Sequence, residues 1–280
     1  MVIISVFLFT FTNGTPFLGG DITVLLCLVI KCHMLEININ NYNEMLRYEN
    51  DMDLLRALAL WITSHDTSYR LLGLPKPREY VFDIIKKYSQ EFALDIENNT
   101  NISSDALSRF HSALFSLNRI LGITEEDVAL AKEQQRYKNS GFWEMRRVIG
   151  QFGDVAESAK NDGVSHIITA AVSGCIIGEY LALKLDKIYN CQIPVDHMVF
   201  SREGTEPVGG MLPESFEISG NHVLLADDAV METFTSRIMA KEIRRLRPDV
   251  QISLMTIDID PDTKSSGYLD QFTHVYTFEE

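Results

Sequence analysis

The sequence has little cysteine, and its four cysteines form no C-x-x-C pair. Zinc ribbons and disulfide frameworks both need cysteines that recur at short, regular spacings. Neither a structural zinc site nor a disulfide-stapled scaffold is therefore indicated, and reduced thiols in the cytoplasm are the expectation. The cysteines are Cys27, Cys32, Cys175 and Cys191.

Positive charge is also scarce, because 25 Lys and Arg stand against 39 Asp and Glu, which gives a formal net charge of -14. Proteins that bind nucleic acid broadly need clustered basic residues to release phosphate counterions. We therefore expect no nucleic-acid partner, although an acidic chain can still bind a small phosphate at one place. The 280 residues, 46% of them hydrophobic, allow one large domain or two smaller ones.

The N-terminus lacks basic residues, since no Lys or Arg precedes Lys31. A signal peptide would carry positive charge there. The apolar runs "VIISVFLFTFT" and "ITVLLCLVIKC" are each too short to span a bilayer, and "NGTPFLGGD" separates them. We predict that residues 1–33 are an apolar leader and that the working protein starts at Met34, with a membrane anchor as the alternative.

Residues 34–140 are predicted to form a helical region. From about Tyr42 to Ser140, apolar residues recur at the three- and four-residue intervals of amphipathic helices. The third segment opens on a serine cap and closes on Gly122, which are typical helix boundaries. Four helices are predicted, in the segments "NEMLRYENDMDLLRALALWI", "PREYVFDIIKKYSQEFAL", "SSDALSRFHSALFSLNRILG" and "TEEDVALAKEQQRYK".

Residues 141–280 are predicted to form an α/β domain. Buried strands in "HIITAAV", "VDHMVF", "HVLLA" and "VQISLMTIDI" alternate with helical segments, the first of them "WEMRRVIGQFGDVAESAKNDG". Such alternation indicates parallel β-α-β units with right-handed crossovers. Ligands of parallel sheets bind beyond the carboxyl ends of the strands, where "AVSG" and "ADDAVMETFT" both fall.

These segments resemble a known family, the type I phosphoribosyltransferases. "VLLADDAVMETFT" resembles the family's signature for phosphoribosyl diphosphate (PRPP), which has two acids after an apolar strand, then a Thr/Gly loop and a helix. "HIITAAVSGCIIGEYLALKL" resembles its earlier strand, diphosphate loop and helix, and "VDHMVFSREG" precedes the place of its mobile catalytic loop. The resemblance covers about Trp143 to the C-terminus and implies a parallel sheet of phosphoribosyltransferase type, preceded by the helical region.

The resemblance also implies a role for each matching residue. Asp227 and Asp228 would hold the ribose hydroxyls, stabilise an oxocarbenium-like transition state and ligate Mg²⁺. The diphosphate would bind the loop Val172 to Gly174, and the 5′-phosphate the backbone of Ala229 to Thr235, at a helix N-terminus. Besides the two acids, the candidate binding residues are Ser173, Gly174, Arg202, Ala229, Val230, Glu232, Thr233 and Thr235.

The phosphate loop departs from the family pattern. Where the family has Thr-Thr-Gly, a small residue and Thr, this sequence has Met231, Glu232, Thr233, Phe234 and Thr235. Glycine permits a positive φ that β-branched threonine disfavours. A carboxylate about 5 Å from a phosphate repels it by roughly 3 kcal/mol per unit charge at an effective dielectric near 20.

Two functions are left open by these residues. One is binding of PRPP or a nucleotide, with Mg²⁺-assisted transfer of ribose 5-phosphate to a nitrogen base. The other is a non-catalytic nucleotide-sensing or interaction protein that keeps the fold, with the helical half as the surface for a homodimer or a protein partner. The two acids are also open to a simpler interpretation, in which they cap the next helix.

Overall fold

The computed structural model describes residues 48–63, 77–99, 102–133, 141–203 and 206–278. The predicted leader lies outside the described residues, so the start at Met34 stays a prediction. Residues Tyr48–Glu280 form one compact unit. None of the helices in the described part of the chain is long and apolar enough to cross a membrane.

The first part of this unit is helical, as predicted. Residues 48–63 form α1, and α2 (Pro77–Asn99), α3 (Ser104–Leu121) and α4 (Glu125–Glu133) follow. Both predicted boundaries of α3 are confirmed, because the Ala106 amide donates to Ser103 Oγ at 3.2 Å and Gly122 ends the helix at φ 71°. Only glycine adopts that φ without cost, which is why the helix stops there.

The next helical segment is not continuous, although one helix was predicted for it. It consists of α5 (Gly141–Val148), a 3₁₀ turn (Ile149–Gln151) and α6 (Phe152–Asn161). Two glycines, Gly150 and Gly153, flank the joint, and glycine is a poor helix former. Phe152 is fully buried at the start of α6, so packing rather than helix propensity sets the new direction.

A six-stranded sheet forms the centre of the unit, with strand order β3-β2-β1-β4-β5-β6. All neighbours pair in parallel except β2 and β3, which pair antiparallel. This confirms the predicted α/β class with a mainly parallel sheet and a helical N-terminal region. The strands are β1 (His166–Ala170), β2 (Val195–Glu203), β3 (Glu206–Met211), β4 (His222–Val230), β5 (Gln251–Ile259) and β6 (Val275–Tyr276). The remaining helices are α7 (Cys175–Tyr189), α8 (Phe234–Leu246), α9 (Pro261–Ser265) and a 3₁₀ turn (Tyr268–Gln271).

Both faces of the sheet are buried, which explains why its strands are almost continuously apolar. Alternate residues of a strand enter different cores, so Leu224 packs on one face and Leu225 on the other. The first core also contains residues of α1 to α4, such as Phe92 and Phe110. The helical region is therefore packed onto the sheet through one continuous hydrophobic core.

The strand order produces a switch point between β1 and β4. The chain passes from β1 to β2 on one side of β1, whereas β4 pairs with β1 on the other side. In open parallel sheets such a reversal leaves a crevice at the carboxyl ends of the two strands. Thr169 pairs with Ala226 next to those ends, so the segments that follow β1 and β4 meet there.

Candidate active site

A cavity of about 190 Å³ lies at this switch point. It is lined by the turn after β1, by the ends of β2 and β4, by the start of α8 and by the helical region. Every predicted site residue except Gly174 lines it, namely Ser173, Arg202, Asp227, Asp228, Ala229, Val230, Glu232, Thr233 and Thr235. The structure thus brings together residues that are far apart in the sequence.

The turn of residues 171–174 joins β1 to α7. Gly174 has an ordinary φ of -78°, so backbone freedom is not the reason for glycine there. A Cβ at this position would lie 2.4 Å from the carbonyl oxygen of Ala226 and 3.1 Å from the Cα of Asp227. Gly174 therefore lies behind the cavity and lets the turn pack directly against β4.

The acid pair is buried at the end of β4, with Asp227 and Asp228 only 5% and 6% exposed. Ser173 Oγ donates to Asp227 Oδ1 at 3.0 Å, and the Asp228 amide donates to the same oxygen at 2.9 Å. The Ala229 amide donates to Asp228 Oδ1 at 2.9 Å. The turn after β1 and the acids of β4 are thus joined by a direct hydrogen bond.

Burial changes the protonation of both acids. Burial raises the pKa of Asp227 well above the ordinary aspartate value, and the negative charge of Asp228 raises it further. Burial also raises the pKa of Asp228, although hydrogen bonds from its neighbours and the charge of Arg56 oppose this. Because two adjacent carboxylates repel each other, the pair retains protons more strongly than exposed aspartates. A cation or a hydroxyl donor bound beside the pair would favour its ionised form, and the protons would be released to water.

The helix-cap interpretation of the acids is wrong. Helix α8 begins only at Phe234, and its N-cap is Thr233. The hydrogen bonds of Asp227 and Asp228 given above go to Ser173 and to the backbone of β4. The acids therefore face the cavity and do not cap the next helix.

The loop that follows the acids is shorter than the predicted Ala229 to Thr235. Strand β4 continues through Val230, where it still pairs with β5, and Thr235 lies in the first turn of α8. The loop proper is residues 231–233. Thr233 has φ 63° and ψ -12°, which is the left-handed conformation that glycine usually adopts. Position 233 thus has the left-handed backbone conformation that is expected of glycine, although the residue there is threonine.

Arg202 reaches the cavity from the antiparallel hairpin of β2 and β3. The pairing is irregular between Ser201 and Arg202, where a bulge changes the register. Burial lowers the pKa of Arg202, the charge of Asp227 opposes the shift and the charge of Arg56 adds to it. In the sequence Arg202 precedes the place of the catalytic loop, and in the structure it lines the same cavity as the acid pair.

The helical region contributes residues that sequence reasoning missed. Arg56, Ala59 and Leu60 of α1 and Ala131 of α4 line the cavity. One signal was present, because Arg56 is the only charged residue within the apolar stretch "LLRALALW". A charge inside an apolar helix face is a candidate for a buried functional contact. Phe200 and Pro207 complete the lining on the β2 and β3 side.

No group of three or more His, Cys, Asp and Glu side chains in the described residues is arranged to hold a metal ion. Among the described residues, the side-chain carboxylates that line the cavity are those of Asp227, Asp228 and Glu232, and carboxylate oxygens suit Mg²⁺. Magnesium commonly binds one or two carboxylates together with phosphate oxygens and water. The donor set therefore fits a magnesium ion that arrives with a phosphorylated ligand.

Comparisons with known proteins give similarity in structure only. The sequence matches no protein-family model and no curated protein. A purine phosphoribosyltransferase from Pyrococcus horikoshii is 19% identical with a TM-score of 0.35, covering 49% of this chain and 85% of that one. An adenine phosphoribosyltransferase from Saccharomyces cerevisiae is 13% identical with a TM-score of 0.35, covering 50% and 80%. A hypoxanthine-guanine phosphoribosyltransferase from Bacillus anthracis is 13% identical with a TM-score of 0.32, covering 46% and 76%. The chain is thus similar, over about half of its length, to solved structures of phosphoribosyltransferases.

Proposed function

We propose that the cavity at the switch point binds PRPP or a nucleotide through its ribose 5-phosphate part. One observation carries the proposal: the acid pair, the 171–174 turn and the 231–233 loop converge on a single cavity. Each of these supplies what one part of such a ligand needs. Ribose offers hydroxyl donors, and its phosphates need backbone N–H groups or positive charge.

The acids bind the ribose in this proposal. The two ribose hydroxyls donate to the carboxylates of Asp227 and Asp228, which must lose their protons to accept both bonds. Hydrogen bonds to charged groups contribute about 1.5 to 3 kcal/mol each, and they oppose the cost of ionising buried acids. Ser173, which already donates to Asp227, holds that carboxylate in place.

The phosphates bind at two helix starts. The first amides of α8 have no intrahelical acceptor, and the dipoles of α8 and α7 favour an anion at both helix N-termini. The left-handed Thr233 leads directly into α8, so the 231–233 loop and Thr235 receive the 5′-phosphate. The 171–174 turn, which leads into α7, receives a diphosphate.

Transfer of ribose 5-phosphate to a nitrogen base is the activity proposed for an active form. When bound by Asp227 or Asp228 and the ligand, Mg²⁺ offsets the charge of the leaving diphosphate. The carboxylates lie beside the ribose and stabilise the positive charge that develops as the glycosidic bond breaks. Residues from α1 and α4 limit the access of water to that centre. The proposal places the protein in the cytoplasm, without a nucleic-acid partner.

A nucleotide-sensing protein without catalysis is the second candidate, and the loop favours it. Glu232 lines the cavity and brings negative charge to the proposed phosphate position, and Phe234 is 37% exposed beside it. In this case the helical half would serve as the surface for a homodimer or another partner. An assay of diphosphate release from PRPP with purine bases separates the two candidates, because only the enzyme forms product.

The binding proposal is tested by calorimetric titration with PRPP and with nucleoside monophosphates, with and without Mg²⁺. Replacing both acids, Asp227→Asn and Asp228→Asn, should weaken binding about a hundredfold or more, because two charge-assisted hydrogen bonds are lost. The matched control is Asp249→Asn, an exposed aspartate just before β5. Unchanged affinity in the folded double variant, or no binding by the wild type, would contradict the proposal.

A further inference from the structure

We infer that Arg56, from the helical region, is an anion-binding residue of the cavity and acts together with Arg202 on the diphosphate end of the ligand. The inference rests on the proposed function and extends it, because it makes the helical region part of the binding site. The starting point is that Arg56, on α1, and Arg202, on β2, line the same cavity.

Arg56 is held at the cavity wall by a carboxylate. Its Nη1 lies 3.1 Å from Asp53 Oδ1, one turn earlier in α1, and the Arg56 side chain is 19% exposed. The other oxygen of Asp53 lies 3.3 Å from Lys132 Nζ of α4. One carboxylate thus faces two cations, and these three side chains together carry an excess of positive charge. Asp53 thus shares its negative charge between two cations and orients the guanidinium of Arg56.

The two arginines act on each other and on the acids. Burial is the main cause that lowers the pKa of Arg202, and the positive charge of Arg56 lowers it further. The charge of Arg56 also opposes the rise in the pKa of Asp228. Two partly buried like charges within electrostatic range repel each other, and an anion between them removes that repulsion.

The distribution of charge around the cavity favours the diphosphate over the 5′-phosphate as the group that the arginines bind. The residues of the 171–174 turn are Ala171, Val172, Ser173 and Gly174, so this turn has no cation of its own. The 231–233 loop carries Glu232, which would compete with a phosphate for an arginine. A diphosphate at the turn therefore needs positive charge from elsewhere, and Arg56 and Arg202 line the same cavity. The other helical lining residues, Ala59, Leu60 and Ala131, are uncharged and shape the wall around Arg56.

The test is calorimetric titration of the Arg56→Gln variant with inorganic diphosphate, PRPP and ribose 5-phosphate, all with Mg²⁺. We expect affinity for diphosphate and PRPP to fall about tenfold or more, as for the loss of one charge-assisted contact. Affinity for ribose 5-phosphate should stay within about twofold, since that ligand lacks the diphosphate. The matched control is Arg119→Gln, an exposed arginine of α3 outside the cavity lining, which should leave all three affinities unchanged.

A second variant keeps the inference testable if Arg56→Gln does not fold. Arg56→Met keeps the length and apolar stem of the side chain but removes its charge, so diphosphate affinity should again fall about tenfold or more. Combining Arg56→Gln with Arg202→Gln should lower the binding free energy of diphosphate by an amount that differs from the sum of the two single losses, because both arginines contact the same diphosphate.

Three outcomes overturn the inference. Unchanged diphosphate and PRPP affinity in Arg56→Gln and Arg56→Met would show that Arg56 does not bind the anion. If the wild type still binds PRPP in that case, the proposed function stands. An equal loss for all three ligands would assign Arg56 to the general architecture of the cavity. No binding of any of them by the wild type would remove the proposed function itself.

Discussion

Thr233 shows most clearly how single residues set the properties of this site. A β-branched residue in the left-handed region is disfavoured by about 1 to 2 kcal/mol, yet Thr233 has φ 63° at the start of α8. Its carbonyl accepts hydrogen bonds from the Arg237 amide at 2.8 Å and from Ser236 Oγ at 3.1 Å. The surrounding hydrogen bonds of α8 thus maintain a backbone conformation that the side chain opposes.

We expect Thr233→Gly to stabilise the folded protein by about 1 kcal/mol, because relief of the backbone strain exceeds the entropy that glycine adds to the unfolded chain. The free energy of unfolding, measured by urea denaturation, checks this. Thr233→Ala keeps a Cβ and serves as the control that should show little gain. A glycine variant no more stable than the wild type would mean that the threonine is not strained.

At the scale of elements, Glu97 of α2 joins the helical region to α7. Tyr180 donates to Glu97 Oε2 at 2.8 Å, and Lys184 Nζ and Lys187 Nζ lie 2.7 Å and 3.5 Å from its carboxylate. Burial alone would raise the pKa of Glu97, but the hydrogen bonds from Lys184 and Tyr180 and the two lysine charges lower it overall. Helix α7 begins at the 171–174 turn, so this contact stabilises the helix that follows the proposed diphosphate position.

Because the pKa of Glu97 is lower in the folded protein, the contact stabilises the fold above the unfolded pKa and loses its effect as the pH falls through the folded pKa. We expect Glu97→Gln to lower the free energy of unfolding by about 1 kcal/mol at pH 7 and by less at pH 4, below the ordinary glutamate pKa. Chemical denaturation at both pH values measures this difference. Glu133→Gln, at an exposed position of α4, is the control. If the loss in free energy of unfolding were the same at both pH values, the effect would come from altered packing of the side chain and not from the loss of its charge.

Elements with a strong local pattern could be predicted from the sequence. The helices α2, α3 and α4 and the strands β1, β2, β4 and β5 fall in the predicted segments, because periodicity and capping residues such as Ser103 are local signals. The edge strands β3 and β6 were not predicted. β6 has only two residues, and the "PVGG" of β3 has the composition of a loop, so pairing with a neighbour decides both.

The candidate site could be predicted only in part, because only some of its residues belong to local sequence motifs. Asp227, Asp228 and the turn after β1 are local motifs at strand ends, and their placement follows from the parallel sheet. Arg56 could not be assigned, because its contact with the cavity depends on how α1 packs on the sheet more than 100 residues later. The conformation of Thr233 was also not predictable, since φ there is imposed by α8 and its neighbours and not by the preference of threonine.

The helical region and one face of the sheet share one hydrophobic core, although the sequence suggested a division near residue 140. Phe92 and Phe110 pack edge to face at 5.3 Å in the helical region, and Phe152 packs on Tyr180 at 5.0 Å beside the sheet. All four belong to the same buried cluster. Removal of the helical region would therefore expose one face of the sheet. The division into residues 34–140 and 141–280 stays a prediction about the chain's organisation.

We expect the unit to unfold in one cooperative transition, with the same midpoint for helix and sheet signals. Leu114→Ala, at a fully buried position of α3, should destabilise the whole unit by about 2 to 5 kcal/mol. Hydrogen exchange should then show an equal loss of protection in β4 and in α3. Ser112→Ala, at an exposed position of the same helix, is the control. Two separate transitions, or a sheet unaffected by Leu114→Ala, would show that the parts fold independently.

The close approach of Gly174 to β4 also determines where this pocket can be redesigned. With the Ala226 carbonyl only 2.4 Å from the position of an added Cβ, no other residue fits at 174 without moving the backbone of the strand that carries the acids. A substitution at position 174 would therefore also displace the acid pair, so the sequence of the turn and the position of the acids cannot change independently, in evolution or in a laboratory library. Residues 231–233 are partly exposed and form a loop between β4 and α8, so they can vary more freely. New ligand preferences in this pocket should arise first by substitution in that loop of three residues.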